Sequence, residues 1–225
     1  MVAAAKEDGA TAWWHLGDVV GYGPDPDAVI DRLGELGASG VMGNHDAAAA
    51  GIIGTSDFNP LAAEAALWTA SSISAASRDY LAGLPLQQAD GAFTRVHGSL
   101  RDPIWEYLGT EKAARAHFAV QETPFSIVGH THFPLVIVEG HGARFPVNVP
   151  GSGAVVKLGP ERACVNPGCV GQPRDGDPRA CYAVLDTEAP SVLFRRVPND
   201  IAATQEKMRA AGLPEPLILR LSLGR

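Results

Sequence analysis

Ser39-Gly40-Val41-Met42-Gly43-Asn44-His45-Asp46 is the stretch on which the fold reading turns. Its first half is a short apolar run of strand character. Its second half sets an amide, an imidazole and a carboxylate side by side immediately after a glycine. Side chains that bind metals or move protons, placed where a buried strand meets a loop, mark the functional edge of an α/β sheet. Three more islands share this form: Gly17-Asp18, Val96-His97-Gly98 and Gly129-His130-Thr131-His132.

Upstream, Trp13-Trp14-His15-Leu16 reads as a strand that ends at Gly17-Asp18, followed by a loop at Gly21-Tyr22-Gly23-Pro24. A helix then starts at Asp25 or Pro26, runs through Val29, Ile30, Leu33 and Leu36, and closes at Gly37. Downstream, Asn59 is a good N-cap with Pro60 in the first helical position, and Ser74 caps a second helix running to Leu81. This alternation predicts βα units and a partly parallel sheet.

After residue 90 the pattern changes. Phe93 to Val96, Phe125 to Val128 and Leu135 to Val138 read as strands, with a helix around Glu111 to Val120 between the first two. Val147 to Val149, Val155 to Leu158, Cys181 to Leu185 and Val192 to Val197 alternate with Gly and Pro turns, which predicts a second, mostly antiparallel sheet. A last helix spans Ile201 to Ala211 and stops at Gly212 and Pro214. The expected fold class is α/β with mixed sheets: two facing β-sheets flanked by helices, in one domain over residues 1–225.

The four islands together carry Asp, Asn and three His, the mixed oxygen and nitrogen set that suits manganese, iron, zinc or nickel, manganese first among them. Two ions about 3.5–4 Å apart can share one carboxylate and clamp the attacking and leaving oxygens of a phosphoryl transfer. Asp18 is the natural bridge, Asn44 offers an amide oxygen, and His97, His130 and His132 offer nitrogens. His130 and His132 are two apart, so on an extended segment they point the same way. His45 is then free to act as an acid toward a leaving group, with Asp46 holding its ring. Tyr22 and Arg174 are candidates for substrate contact, since a guanidinium fork suits phosphate. Taken alone, Asp18 would be a turn residue and His97 a core histidine; together, the islands outweigh that reading. His15, His117 and His141 are read as structural.

Gly17-Asp18-x-x-Gly21, Gly43-Asn44-His45-Asp46, the His97 segment and Gly129-His130-x-His132 resemble the motifs of the calcineurin-like metallophosphoesterase superfamily. Asn166 to Arg174 and the Gly21 to Pro24 loop are similar to its small bacterial and archaeal phosphodiesterase branch. The resemblance implies a four-layer sandwich and a dinuclear metal site. Asp18 would bridge both ions, Asn44, His97 and His130 would complete one, and His132 would bind the other. His45 and Asp46 would match the family's catalytic pair. The family begins with a strand ending in Asp-x-His, and no such pattern precedes Asp18. The first strand is therefore expected to be missing and the second ion's site incomplete. Two functions follow as expectations: a metal-dependent phosphoesterase for phosphodiesters or small phosphorylated metabolites, or an N-terminally truncated, impaired metal-binding remnant.

With 225 residues, 46% of them hydrophobic and 19% charged, the chain can bury a multilayer core. A net charge of -7 argues against a nucleic acid as a stable partner. No signal peptide or membrane span is visible. Cys164, Cys169 and Cys181 read as reduced thiols, which predicts a cytoplasmic protein. A small phosphorylated substrate is the expected partner, and the surface leaves room for a homo-oligomer.

Overall fold

A computed structural model describes residues 1–140 and 145–225, so His141 lies outside the described residues. The chain runs from helix α1 (Val2–Glu7) through strand β1 (Trp14–His15), α2 (Pro26–Glu35), β2 (Ser39–Gly40), α3 (Asn44–Ala49), α4 (Pro60–Ser72) and α5 (Ala75–Ala82). Strands β3 (Gln87–Asp90) and β4 (Phe93–Val96) precede α6 (Glu111–Ala119). Seven strands follow: β5 (Phe125–Ile127), β6 (Leu135–Val138), β7 (Val147–Asn148), β8 (Val155–Lys157), β9 (Ala163–Asn166), β10 (Ala180–Asp186) and β11 (Ser191–Val197). Helices α7 (Ile201–Ala210) and α8 (Glu215–Leu219) and a 3₁₀ turn (Arg220–Leu223) end it.

The strands form a six-stranded sheet ordered β3-β4-β5-β9-β6-β7, a three-stranded sheet ordered β10-β11-β8, and the parallel pair β1-β2. Side-chain alternation decides what each face meets. On β6, Leu135 and Ile137 point with Val96, Val128 and Cys164 toward Ala113, Ala114 and Phe118 of α6. Val136, between them, joins Val165 of β9 and packs on Val192 and Phe194 of β11, so the two larger sheets face each other. Trp14 of β1 packs beside Phe93 and Phe125 on the same layer. The helices are capped as their sequences suggest. Asn59 Oδ1 accepts from Ala62 N–H at 3.0 Å and Ser74 Oγ from Ser77 N–H at 3.1 Å. No described helix is long and apolar enough to cross a membrane.

The expected architecture of facing sheets with outer helices holds, but four details differ. The strands after residue 90 divide between the two larger sheets: β4, β5 and β9 run parallel at the centre of one, and only β8, β11 and β10 make a wholly antiparallel sheet. Strand β9 was hidden from pattern reading because Ala163-Cys164-Val165-Asn166 is fully buried and does not alternate. Val41-Met42 leaves the strand early, with Met42 N–H bonded to Pro85 O at 2.8 Å. Finally, Pro214 does not end the helical structure; it precedes α8, whose Leu217 and Ile218 pack with Met208 of α7 and Ala65 of α4.

Candidate metal centre

Three side chains from three separate segments meet at one point. Ligand atoms of Asp18, His97 and His130 lie within 4.8 Å of one another. His97 Nε2 is the hub, at 3.3 Å from Asp18 Oδ2, 3.2 Å from Asn44 Oδ1 and 2.9 Å from His130 Nδ1. Backbone carbonyls set the tautomers, because a carbonyl oxygen only accepts. His97 Nδ1–H donates to Leu16 O at 2.7 Å, His130 Nε2–H to Trp105 O at 3.2 Å and His132 Nδ1–H to Gln172 O at 2.7 Å. Each ring thus keeps its other nitrogen for a ligand, with the orienting carbonyl behind it that ligating histidines ordinarily have.

The arrangement calls for a positive charge. When neutral, His97 Nε2 and His130 Nδ1 direct lone pairs at each other, beside a carboxylate oxygen and an amide oxygen. A proton is one remedy. Burial opposes charge on both His97 and Asp18, yet each holds the other ionised, so the His97 pKa is raised and the Asp18 carboxyl is held well below its usual range. A divalent cation is the other remedy, and two nitrogens, a carboxylate and an amide oxygen fit one. Burial and the His97 charge push His130 down to about 3, which leaves its ligand nitrogen bare at neutral pH.

The backbone around this point is constrained. Asp18, His130 and His132 are the three non-glycine residues with positive φ among the described residues, at 49°, 60° and 60°. Such strain at functional positions persists only where surrounding contacts enforce it. Here Asn166 Nδ2 donates to Gly129 O at 2.6 Å and Thr131 Oγ1 at 3.0 Å, pinning the histidine loop. The loop is therefore not extended, as strand alternation had suggested; the left-handed turns, rather than a two-residue period, bring His130 and His132 to one cavity. Gly43 is required by close approach, since a Cβ there would sit 2.1 Å from Asp18 Oδ1.

Asp46 does not hold the ring of His45. It is 0% exposed, and its Oδ1 accepts from Val19 N–H at 2.9 Å and Val20 N–H at 3.4 Å, while Oδ2 accepts from Gly43 N–H at 2.9 Å. It caps α3 and ties the loop after β1 to Gly43, so it fixes the ligand loops and does not reach the cavity. His45 Nδ1 is buried without a partner, and the ring is held by Tyr22 at 4.3 Å and Phe58 at 4.9 Å between centroids. Asp18 Oδ1 accepts from His45 N–H at 2.9 Å. Burial pushes the His45 pKa down to about 4 against the pull of Asp18.

Asp18, Asn44, His45, His130 and His132 line one cavity, and Tyr22 and Arg174 stand in its wall. His132 sits in the cavity but outside the tight Asp18–His97–His130 group. Sequence reading missed Phe58, Trp105 and Tyr107, the last stacked on His130 at 3.9 Å and 18°. They lie in loops with no periodicity, and only their aromatic character on polar stretches could have flagged them. His15 turns away, bonded to Tyr80 Oη at 3.0 Å.

The model of the calcineurin-like phosphoesterase superfamily domain matches residues 1–190 of the chain. The chain belongs to that superfamily. A metallophosphoesterase from Sphaerobacter thermophilus is similar in structure, with a TM-score of 0.89 and 42% identity, over 100% of this chain and 93% of that one. An uncharacterised protein, MJ0912 of Methanocaldococcus jannaschii, is 33% identical over 225 residues, 98% of this chain and 89% of that protein. The hypothetical protein PH1004 from Pyrococcus horikoshii OT3, at 22% identity and a TM-score of 0.80, shares the fold over 100% of this chain and 90% of its own. As a phosphoesterase-superfamily domain the chain is of a hydrolase family that uses divalent metals, and Asp18, His97 and His130 are its candidate metal triad.

Proposed function

We propose that the chain is a metal-dependent phosphoesterase acting on phosphodiesters or small phosphorylated metabolites in the cytoplasm. The observation that carries this reading is the convergence of Asp18, Asn44, His97 and His130 on one point whose donor set fits a divalent cation. These four residues would hold one divalent ion, manganese first among the candidates. Asp18 with His132 would contribute to a second. Ions held there would polarise the phosphoryl oxygens and offset the charge that builds on them in the transition state.

The remaining steps belong to the protein's own side chains. Arg174 would bind and orient phosphate oxygens of the substrate at the cavity wall, away from the reacting phosphorus, with the Tyr22 hydroxyl beside it. The rings of Phe58 and Trp105, edge to face at 5.1 Å, would limit water at the cavity wall and so strengthen the charge interactions inside. Burial favours the neutral form of His45; a bound phosphate would add negative charge beside it and raise its affinity for a proton. Nε2, on the ring edge away from the buried Nδ1 that packs against Gly21, would then hold that proton toward the leaving oxygen. The net charge of -7 and the three free cysteines are consistent with a small substrate and a reducing compartment.

Hydrolysis of bis(4-nitrophenyl) phosphate with added manganese tests the reading. Turnover that chelation abolishes and His97→Ala reduces by at least a hundredfold is expected. Turnover that survives chelation, or none with manganese, iron, zinc or nickel, would remove the proposal.

A further inference from the structure

Behind Tyr22 lie two guanidinium groups whose surroundings are incomplete. Arg174 Nη2 donates to Tyr22 Oη and to Gln172 Oε1, both at 3.4 Å. Arg220, from the 3₁₀ turn at the end of the chain, donates its Nη2 to the same Gln172 Oε1. Their Cζ atoms stand 5.9 Å and 5.0 Å from the centroid of the Tyr22 ring. Among the described residues no carboxylate pairs with either. Arg162, Arg179, Arg195 and Arg196 each have one, in Glu139, Asp177, Asp8 and Asp175. The Nε atoms of Arg174 and Arg220 are buried without partners, and so is Nε2 of Gln172, a side chain only 3% exposed.

Two cations sharing one neutral amide oxygen repel each other, and burial makes the repulsion harder to screen. Burial and the neighbouring Arg174 charge both hold the Arg220 guanidinium below its usual range. An anion in the cavity against Arg174 would offset the repulsion. The cluster is also wired to the metal side of the cavity. Gln172 O accepts from His132 Nδ1–H, and Arg174 N–H donates to His132 O at 3.3 Å.

We propose that Arg174, Arg220, Gln172 and Tyr22 form an anion subsite for a second phosphoryl group of the substrate, beyond the one that is hydrolysed. This rests on the phosphoesterase reading and extends it to a preference for substrates that carry a second phosphate. Arg174 faces the cavity and meets the group first; Arg220 acts from behind it, supplying charge and holding Gln172.

Calorimetric titration of the chelator-treated full chain with inorganic pyrophosphate, at low ionic strength, tests the subsite without metal or turnover. Wild-type protein should bind, and Arg174→Gln and Arg220→Gln should each weaken binding about tenfold or more. Arg220→Lys should retain part of the affinity, because charge survives while the fork is lost. Should Arg220→Gln fail to fold, Arg174→Gln and Arg220→Lys carry the comparison. Equal affinity in wild type and variants, or no wild-type binding, overturns the inference. Manganese-dependent turnover of the nitrophenyl diester without pyrophosphate binding defeats this subsite alone. Arginine-dependent binding without turnover leaves the anion site standing and defeats the functional reading.

Discussion

His117 provides a test of how this fold responds to acid. It is 0% exposed and sits in a chain with one consistent set of protons. Leu100 N–H donates to His117 Nδ1 at 3.1 Å, His117 Nε2–H to Ser126 Oγ at 2.7 Å, and Ser126 Oγ to Gln121 Oε1 at 2.9 Å. Protonating Nδ1 would set two hydrogens against each other in a buried site, and burial accordingly pushes the pKa down to about 4 from the usual 6.5. Between those values the unfolded chain binds a proton that the folded chain refuses, so this contribution is complete above about pH 6.5 and is lost as pH falls toward 4. At about 1.4 kcal/mol per unit, the loss from pH 7.5 to pH 5 comes to about 2 kcal/mol. Urea unfolding of chelator-treated wild type and His117→Gln, followed at both pH values, isolates the effect. The variant is less stable at pH 7.5, and its deficit shrinks by about 2 kcal/mol at pH 5. A deficit that stays the same at both values would refute the argument.

Other outcomes follow from the same geometry. Gly43→Ala should weaken manganese binding at least tenfold by calorimetry, because the added Cβ displaces the Asp18 carboxylate; unchanged affinity would mean that Asp18 is not a ligand. Manganese at a hundred times its Kd should stabilise the fold by about 2.7 kcal/mol, read as a rise in Tm that a chelator reverses. His45→Gln should lower kcat about 10²-fold or more for an alkyl leaving group and much less for nitrophenolate, which needs no proton; equal losses would remove the acid role. Asn59→Ala should cost about 1 kcal/mol in urea unfolding, since the cap to Ala62 N–H is lost.

What was legible in the sequence was residue chemistry at strand ends. Gly43-Asn44-His45 announces a ligand position because no packing requirement explains an amide and an imidazole in a row after a glycine, whereas Asp46 is the cap of α3. The caps at Asn59 and Ser74 were legible because each is a local bond between a side chain and an N–H three residues on. Strand β9, the allocation of strands between sheets and the stacking of Tyr107 on His130 were not, because they depend on partners far along the chain.

The sequence by itself determined which side chains could bind a cation, and in what order they come. Only the tertiary structure decided how they are used. It turned Asp46 toward three backbone N–H groups and away from His45, aimed the ring nitrogens through the carbonyls of Leu16, Trp105 and Gln172, and brought Arg220 beside Arg174. The reason is physical. Residue type fixes what an atom can donate or accept, but a buried polar group takes its role from the partner within reach, and here that partner is often contributed by a distant segment.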